Sequence, residues 1–186
     1  MLTSASLGLT GMDEPSALSR AQSLIAAIPD YPEPGIVFRD LTPLFADAAA
    51  FRAVIDALLA PFHGRFDAVA GIEARGFVLA GAASRAADVG LVPIRKAGKL
   101  PRARVSAEYA LEYGTATIEA HRGDLPAGSR VLILDDVLAT GGTIRAAHEI
   151  GSALGWEVVG TAVVLEIAAL DGRAAVGAPV HAVFTA

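Results

Sequence analysis

Segments patterned for buried strands alternate along this chain with segments patterned for helices, and that alternation restricts the fold more than any other feature. "FDAVAGI" (Phe66 to Ile72), "LVPIR" (Leu91 to Arg95), "VLIL" (Val131 to Leu134) and "EVVGTAVVLE" (Glu157 to Glu166) are short apolar runs. Between them, "FVLAGAASRAA" (Phe77 to Ala87) and "TIRAAHEIGSALG" (Thr143 to Gly155) read as helices, the second closed by Gly155 at a C′ position. Strands that are apolar on both faces must be covered on both faces. The expected class is therefore α/β, a mostly parallel twisted sheet flanked by helices.

The flanks add detail. "SALSRAQSLIAAI" (Ser16 to Ile28) puts Leu18, Ala21, Ile25 and Ile28 on one helical face. The following "DYPEPGIVFRDLTPLF" is Pro- and Gly-rich, a loop with an extended piece at Ile36 to Phe38 and an exposed aromatic and arginine. Asp47 is positioned to cap a helix through "AAAFRAVIDALLAPF" (Ala48 to Phe62). Thr115, Thr117, Glu119 and His121 alternate with Ala116, Ile118 and Ala120, the mark of an antiparallel hairpin attached to the sheet. Ahead of it, "RKAGKLPRARVSAE" holds five basic residues and reads as a long mobile loop. Residues 1–14 read as a poorly ordered leader, and nothing marks a second domain.

Composition limits the partners. With 53% hydrophobic residues in 186, the chain has enough apolar surface for one sizeable core. A net charge of −5 argues against a general nucleic-acid or membrane-surface binder, and no window is apolar enough to span a bilayer. There is no cysteine, which excludes disulfides and zinc–thiolate sites and suits a reducing cytoplasm.

In an open α/β sheet, ligands bind at the carboxyl edge of the strands. Arg75, Lys96 and the stretch from Asp135 to Thr143 all follow strands, so one crevice can hold them. Within "VLILDDVLATGGT", Ala139, Thr140, Gly141, Gly142 and Thr143 form a small-residue loop at a helix start, suited to a phosphate. Asp135 and Asp136 just before it would repel that phosphate unless donors or cations meet them. A phosphorylated sugar reconciles the two halves, its hydroxyls and a substrate-borne Mg2+ facing the acids and its phosphate resting on the loop. The P-loop and dinucleotide-binding spacings are both absent.

Those residues resemble the 5-phosphoribosyl 1-pyrophosphate (PRPP) motif of the type I phosphoribosyltransferases. "IPDYPEPGIVFRDLTPL", "GIEARGF", "RKAGKLP" and "YALEYGTATIE" are similar, in order, to segments of the adenine phosphoribosyltransferase family, so the resemblance runs from about Leu18 to Thr185. It implies a single domain over residues 15–186, with a small N-terminal hood formed mainly by 15–45 and an antiparallel flexible-loop hairpin. It implies transfer of a phosphoribosyl group from PRPP to adenine, giving AMP and pyrophosphate with Mg2+ as cofactor, and usually a homodimer.

By the same resemblance, Asp135 and Asp136 hold the ribose hydroxyls and, through water or substrate oxygens, the metal; Ala139 to Thr143 hold the 5′-phosphate; Arg75, Lys96 and Lys99 meet the pyrophosphate. Val37, Phe38 and Arg39 form the adenine site, although Val37 and Phe38 read alone are equally ordinary core residues. Glu112 and Tyr113 belong to the lid. Glu112, with Arg75 and Tyr113, is a catalytic candidate that handles the purine proton; a purely structural pairing of Glu112 with Arg102 or Arg104 is the competing reading. Two other functions stay open: transfer to another purine (xanthine, hypoxanthine or guanine), and a non-catalytic PRPP-binding regulator.

Overall fold

The computed structural model describes residues 16–110 and 114–186; the leader expected at 1–14, and Glu112 and Tyr113, lie outside the described residues. Helix α1 (Ala17–Ser23) leads into strands β1 (Ala26–Pro29) and β2 (Val37–Asp40), which pair antiparallel as a separate two-stranded sheet. The expected first helix is thus cut short. Ile28 pairs with Phe38 and Ala27 with Arg39 across that small sheet, and the ladder prevails over helical periodicity. Of the four residues expected on a buried helical face, only Ala21 is buried, while Leu18 and Ile28 are exposed.

Helices α2 (Thr42–Ala46) and α3 (Ala48–Leu59) follow, and a 3₁₀ turn from Ala60 to Phe62 ends this run; a second 3₁₀ turn, Ala168–Leu170, comes later in the chain. Asp47 caps α3 as its position demands: Oδ1 accepts from the amides of Ala49 and Ala50 at 3.1 and 2.9 Å. Its Oδ2 accepts from Arg20 Nε at 2.8 Å, tying α1 to the same corner.

The main sheet comprises β3 (Ala68–Ile72), β4 (Gly90–Lys96), β5 (Arg104–Ala110), β6 (Thr115–His121), β7 (Arg130–Leu138), β8 (Glu157–Glu166) and β9 (Val180–Thr185), in the order β5-β6-β4-β3-β7-β8-β9. From β4 to β9 neighbours run parallel; β6 pairs antiparallel with both β4 and β5. Helices α4 (Arg75–Ala87), α5 (Gly142–Leu154) and the short α6 (Gly172–Val176) complete the chain.

Side chains alternate across the sheet into two cores. Ile72, Ile94, Ile118, Val131 and Ile133 pack with Ile144, Ala147 and Ile150 of α5. Val69, Leu132, Leu134 and Val164 pack with Val54 and Leu58 of α3 and Leu79 and Ala83 of α4. Each fully buried Val, Leu or Ile among them contributes roughly 1.5–3 kcal/mol. Trp156 is buried in the first of these cores, as packing alone would have it. Among the described residues, no helix is long and apolar enough to cross a membrane.

The expected long mobile loop is a second correction. Only Ala97 to Ala103 lie between strands, because β4 runs to Lys96 and β5 begins at Arg104. Val105, Ala107 and Tyr109 alternate into the core while Arg104, Ser106 and Glu108 point outward, so polar residues on the outer face obscured a period-two pattern.

One close approach sets up the site. A Cβ on Gly71 would sit 2.6 Å from the Gly76 carbonyl oxygen and 2.7 Å from Ala80 Cβ, so only glycine lets α4 lie this tightly on β3. The first turn of α4, carrying Arg75, is thereby held at the carboxyl end of β3.

Candidate active site

A cavity of about 560 Å3 opens at that carboxyl edge. Its lining brings together Val37, Phe38 and Arg39 from the hood, Glu73, Ala74 and Arg75 after β3, Lys96 ending β4, Asp135, Asp136 and Val137 of β7, and Ala139 and Thr143 beyond it. Residues about a hundred positions apart converge because parallel strands all deliver their carboxyl ends to one edge.

Both acids lie inside β7 rather than after it, since the strand continues to Leu138. Each is buried, with 8% and 7% of its surface exposed. Desolvation is the main cause that pushes the Asp135 carboxyl well above the usual carboxylate range, and the neighbouring Asp136 charge adds to it. Asp135 Oδ1 accepts from the Asp136 amide at 2.9 Å. Arg75 Nε stands 2.6 Å from Asp136 Oδ2, an ion-pair approach without hydrogen-bond alignment, and Oδ2 is left buried with no donor. A hard, desolvated oxygen of this kind suits hydroxyl groups or a hydrated Mg2+. Among the described residues no group of three or more His, Cys, Asp or Glu side chains forms a metal cage, so a metal here would share its coordination with substrate and water.

Ala139 to Thr143, with Val137 and Ile144, line a smaller recess of about 60 Å3 that shares Val137, Ala139 and Thr143 with the main cavity. Gly141 stands at the N-cap of α5 with φ +82°, and α5 has no side-chain cap, so the first amides of the helix are left for another acceptor. A Cβ on Gly141 would also meet the Gly172 carbonyl oxygen at 2.3 Å. Glycine is required there twice over.

Glu73 organises the cationic wall. Its Oε1 lies 2.5 Å from Lys99 Nζ, its Oε2 accepts from the Lys96 amide at 2.9 Å, and Arg95 Nε approaches at 3.4 Å. The Lys99 hydrogen bond is the largest cause that lowers its pKa to about 2. Lys99 does not line the cavity itself and reaches its rim through Glu73. The peptide between Glu73 and Ala74 is cis.

On the hood side, Val37 is 47% exposed at the cavity wall, so it is not a core residue. The expected exposed aromatic and arginine, Phe38 and Arg39, are half-buried instead. The Phe38 ring has Tyr31 edge-on at 5.3 Å and the Arg75 guanidinium carbon 5.4 Å from its centre. Arg39 borders this cavity and also a second recess beside Gln22 and Phe184.

Sequence reasoning missed Glu73, Tyr109, Ile167 and Leu170 in the lining. The last two follow β8 and were findable by the same carboxyl-edge rule. Another cavity, of about 530 Å3, lies between α3, the 3₁₀ turn and the end of α4, and contains none of the expected site residues. Its His63, like His121, His148 and His181, is not among the residues that line the cavity at the carboxyl edge.

Comparison with known proteins gives four consistent likenesses. The phosphoribosyl transferase domain model matches residues 45–185. Adenine phosphoribosyltransferase from Arthrobacter sp. (strain FB24) is 64% identical over 153 residues, 82% of this chain and 83% of that protein. The crystal structure of adenine phosphoribosyltransferase from Rhodothermus marinus DSM 4252 superposes with a TM-score of 0.86 at 45% identity, covering 91% of this chain and 98% of that one. The enzyme from Saccharomyces cerevisiae, solved with an imino-altritol bisphosphate and adenine, gives 0.86 at 36% identity, covering 90% and 98%.

Proposed function

This chain belongs to the phosphoribosyl transferase family, within it to the adenine phosphoribosyltransferases, and on that premise we propose that it joins adenine to PRPP, giving AMP and pyrophosphate in purine salvage. The observation that carries the residue-level reading is the buried Asp135–Asp136 pair, with one oxygen lacking a donor, next to an uncapped helix N-terminus. Carboxylates for hydroxyls and amides for a phosphate fit the two ends of a phosphoribosyl group.

In this reading the acids hold the ribose hydroxyls and Ala139 to Thr143 take the 5′-phosphate. Asp135 and Asp136 would hold Mg2+ through water or substrate oxygens when it binds with PRPP, and the metal would neutralise pyrophosphate charge. Adenine N9 bonds to C1′ as the C1′–O bond breaks through an oxocarbenium-like state, and pyrophosphate leaves with the bonding pair. Arg75, Lys96 and Lys99 attract that leaving group more strongly as its charge grows. Val37, Phe38 and Arg39 hold the base, with the Phe38 ring as an apolar wall. The proton displaced from the purine passes to Glu112, while Tyr113 covers the ribose or pyrophosphate. Arg102 and Arg104 already pair with Asp124 and Glu119, which favours the proton role of Glu112 over a lid ion pair.

We take the enzyme to be a cytoplasmic homodimer of a single domain. Exposed Val78 on α4 and Leu91 on β4 provide apolar surface for a second copy, and a chain without cysteine is suited to a reducing compartment. Light scattering at micromolar concentration checks the assembly.

Pyrophosphate release from PRPP and Mg2+ with adenine, hypoxanthine, guanine or xanthine tests the activity. Turnover with adenine alone supports it, turnover with another base selects a different transferase, and PRPP binding without turnover selects the regulator.

A further inference from the structure

Lys99 is held at two points by two different acids. Its backbone amide and that of Leu100 each donate to Glu119 Oε1 at 3.3 Å, and Glu119, 1% exposed on β6, also pairs through Oε2 with Arg104 Nε at 2.7 Å. Its ammonium sits on Glu73 Oε1 at 2.5 Å, at the rim of the cavity. A buried, fully engaged glutamate fixes the start of the loop. The half-exposed ammonium, on a flexible four-carbon stem, is the part free to change partners.

A carboxylate in this place has an energetic consequence. Glu73 brings a negative charge to the wall that Arg75 and Lys96 share, where a diphosphate would need positive charge. An acid there weakens anion binding, and in the ligand-free site it can stand in for the missing anion on the same cations.

We propose that Glu73 is a positioning residue that stores the Lys99 ammonium in the ligand-free protein and exchanges it with the pyrophosphate group, so that pyrophosphate and Glu73 compete for one cation. This deepens the proposed transferase reading and rests on it. Storage keeps Lys99 at the rim and spares it the wide search of an unpaired side chain. Competition loosens the hold on pyrophosphate once C1′ has been transferred. The Lys96 amide that Glu73 accepts is undisturbed by the exchange, because it belongs to Oε2 and the Lys99 contact to Oε1.

Titration of wild-type protein, Glu73→Gln, Lys99→Met and the double variant with inorganic pyrophosphate and Mg2+ tests this. Glutamine keeps an acceptor for the Lys96 amide and removes the charge. Glu73→Gln is expected to bind pyrophosphate about fivefold more tightly, the scale of a partly exposed ion pair, with lower KM for PRPP and lower kcat because product leaves more slowly. In the Lys99→Met background the gain disappears. Unchanged or weaker binding by Glu73→Gln, or a gain that survives Lys99→Met, overturns the exchange. As a readout that needs no variant at position 73, the Glu73 side-chain carbonyl carbon resonance shifts in wild-type protein on adding pyrophosphate and is unresponsive in Lys99→Met; the reverse also overturns it. Wild-type protein that binds no pyrophosphate refutes the transferase reading itself.

Discussion

The guanidinium carbon of Arg75 lies 5.4 Å from the centre of the Phe38 ring, so the cation proposed to meet pyrophosphate rests on the aromatic proposed to wall the base site. In the proposed reading the two half-sites are therefore in contact. Phe38→Leu is expected to raise KM for adenine about tenfold, from the lost aromatic face and the lost cation–π contact together. The effect on KM for PRPP is smaller, since Arg75 keeps its approach to Asp136. Initial rates with each substrate varied in turn separate the two, and a change confined to PRPP would remove Phe38 from the base site.

Asp135 makes a pH signature. Its folded-state pKa is raised, first by burial and then by the Asp136 charge, so the ligand-free native state holds this proton more tightly than the unfolded chain does. Stability from such a group is fully present below the unfolded pKa of about 4 and is lost as pH rises through the folded value. Asp135→Asn removes the ionisation. The ligand-free variant is expected to melt higher than wild type at about pH 8, with the difference shrinking toward pH ~4, while its PRPP affinity falls by about tenfold or more from a lost charged acceptor. Calorimetry at several pH values gives the first result and PRPP titration the second; an Asn variant that melts lower at every pH contradicts the sign.

Legibility in the sequence followed how local each signal is. Asp47 as a cap, Gly155 at a helix end and the Ala139 to Thr143 turn are decided within a few residues, and the structure has all three. Arg75, Lys96 and the acids were placed together by one rule about parallel strands, which depends on chain order rather than contacts. Glu73 escaped because its partner Lys99 lies 26 positions away and meets it only after β4 turns back. Ile28 was misread because its ladder partner Phe38 sits across a Pro- and Gly-rich turn. Basic residues at Arg102 and Arg104 gave β5 the look of a loop, while their carboxylate partners Asp124 and Glu119 stand on segments read separately.

Gly141 links fold and function in one position. At φ +82° a side chain is strained, and a Cβ would lie 2.3 Å from the Gly172 carbonyl oxygen, which is backbone and cannot rotate away. Gly141→Ala is expected to cost about 1–3 kcal/mol of stability and to displace the first amides of α5. Loss of affinity for ribose 5-phosphate should exceed loss for pyrophosphate, because the recess at Val137 to Ile144, although it adjoins the main cavity, is lined by neither Arg75 nor Lys96. Equal losses for both ligands would mean that the substitution disturbs the whole edge rather than the loop.

Glu112 lies outside the described residues, so its role must be read from kinetics. A group that accepts the purine proton contributes in the transition state and little to ground-state binding, which predicts a drop in kcat with KM nearly constant. Glu112→Leu should lower kcat by about 10²-fold or more, the usual scale of general-base contributions. Glu112→Gln separates charge from shape: it keeps the hydrogen-bonding outline and removes the basicity, so it should be about as slow as the leucine variant. If glutamine restores most of the rate, Glu112 orders the lid by hydrogen bonding and the proton leaves by another route. The proton role also predicts that raising pH through the carboxyl pKa activates the wild-type enzyme, because only the ionised form accepts a proton, and that this rising limb is missing in Glu112→Gln.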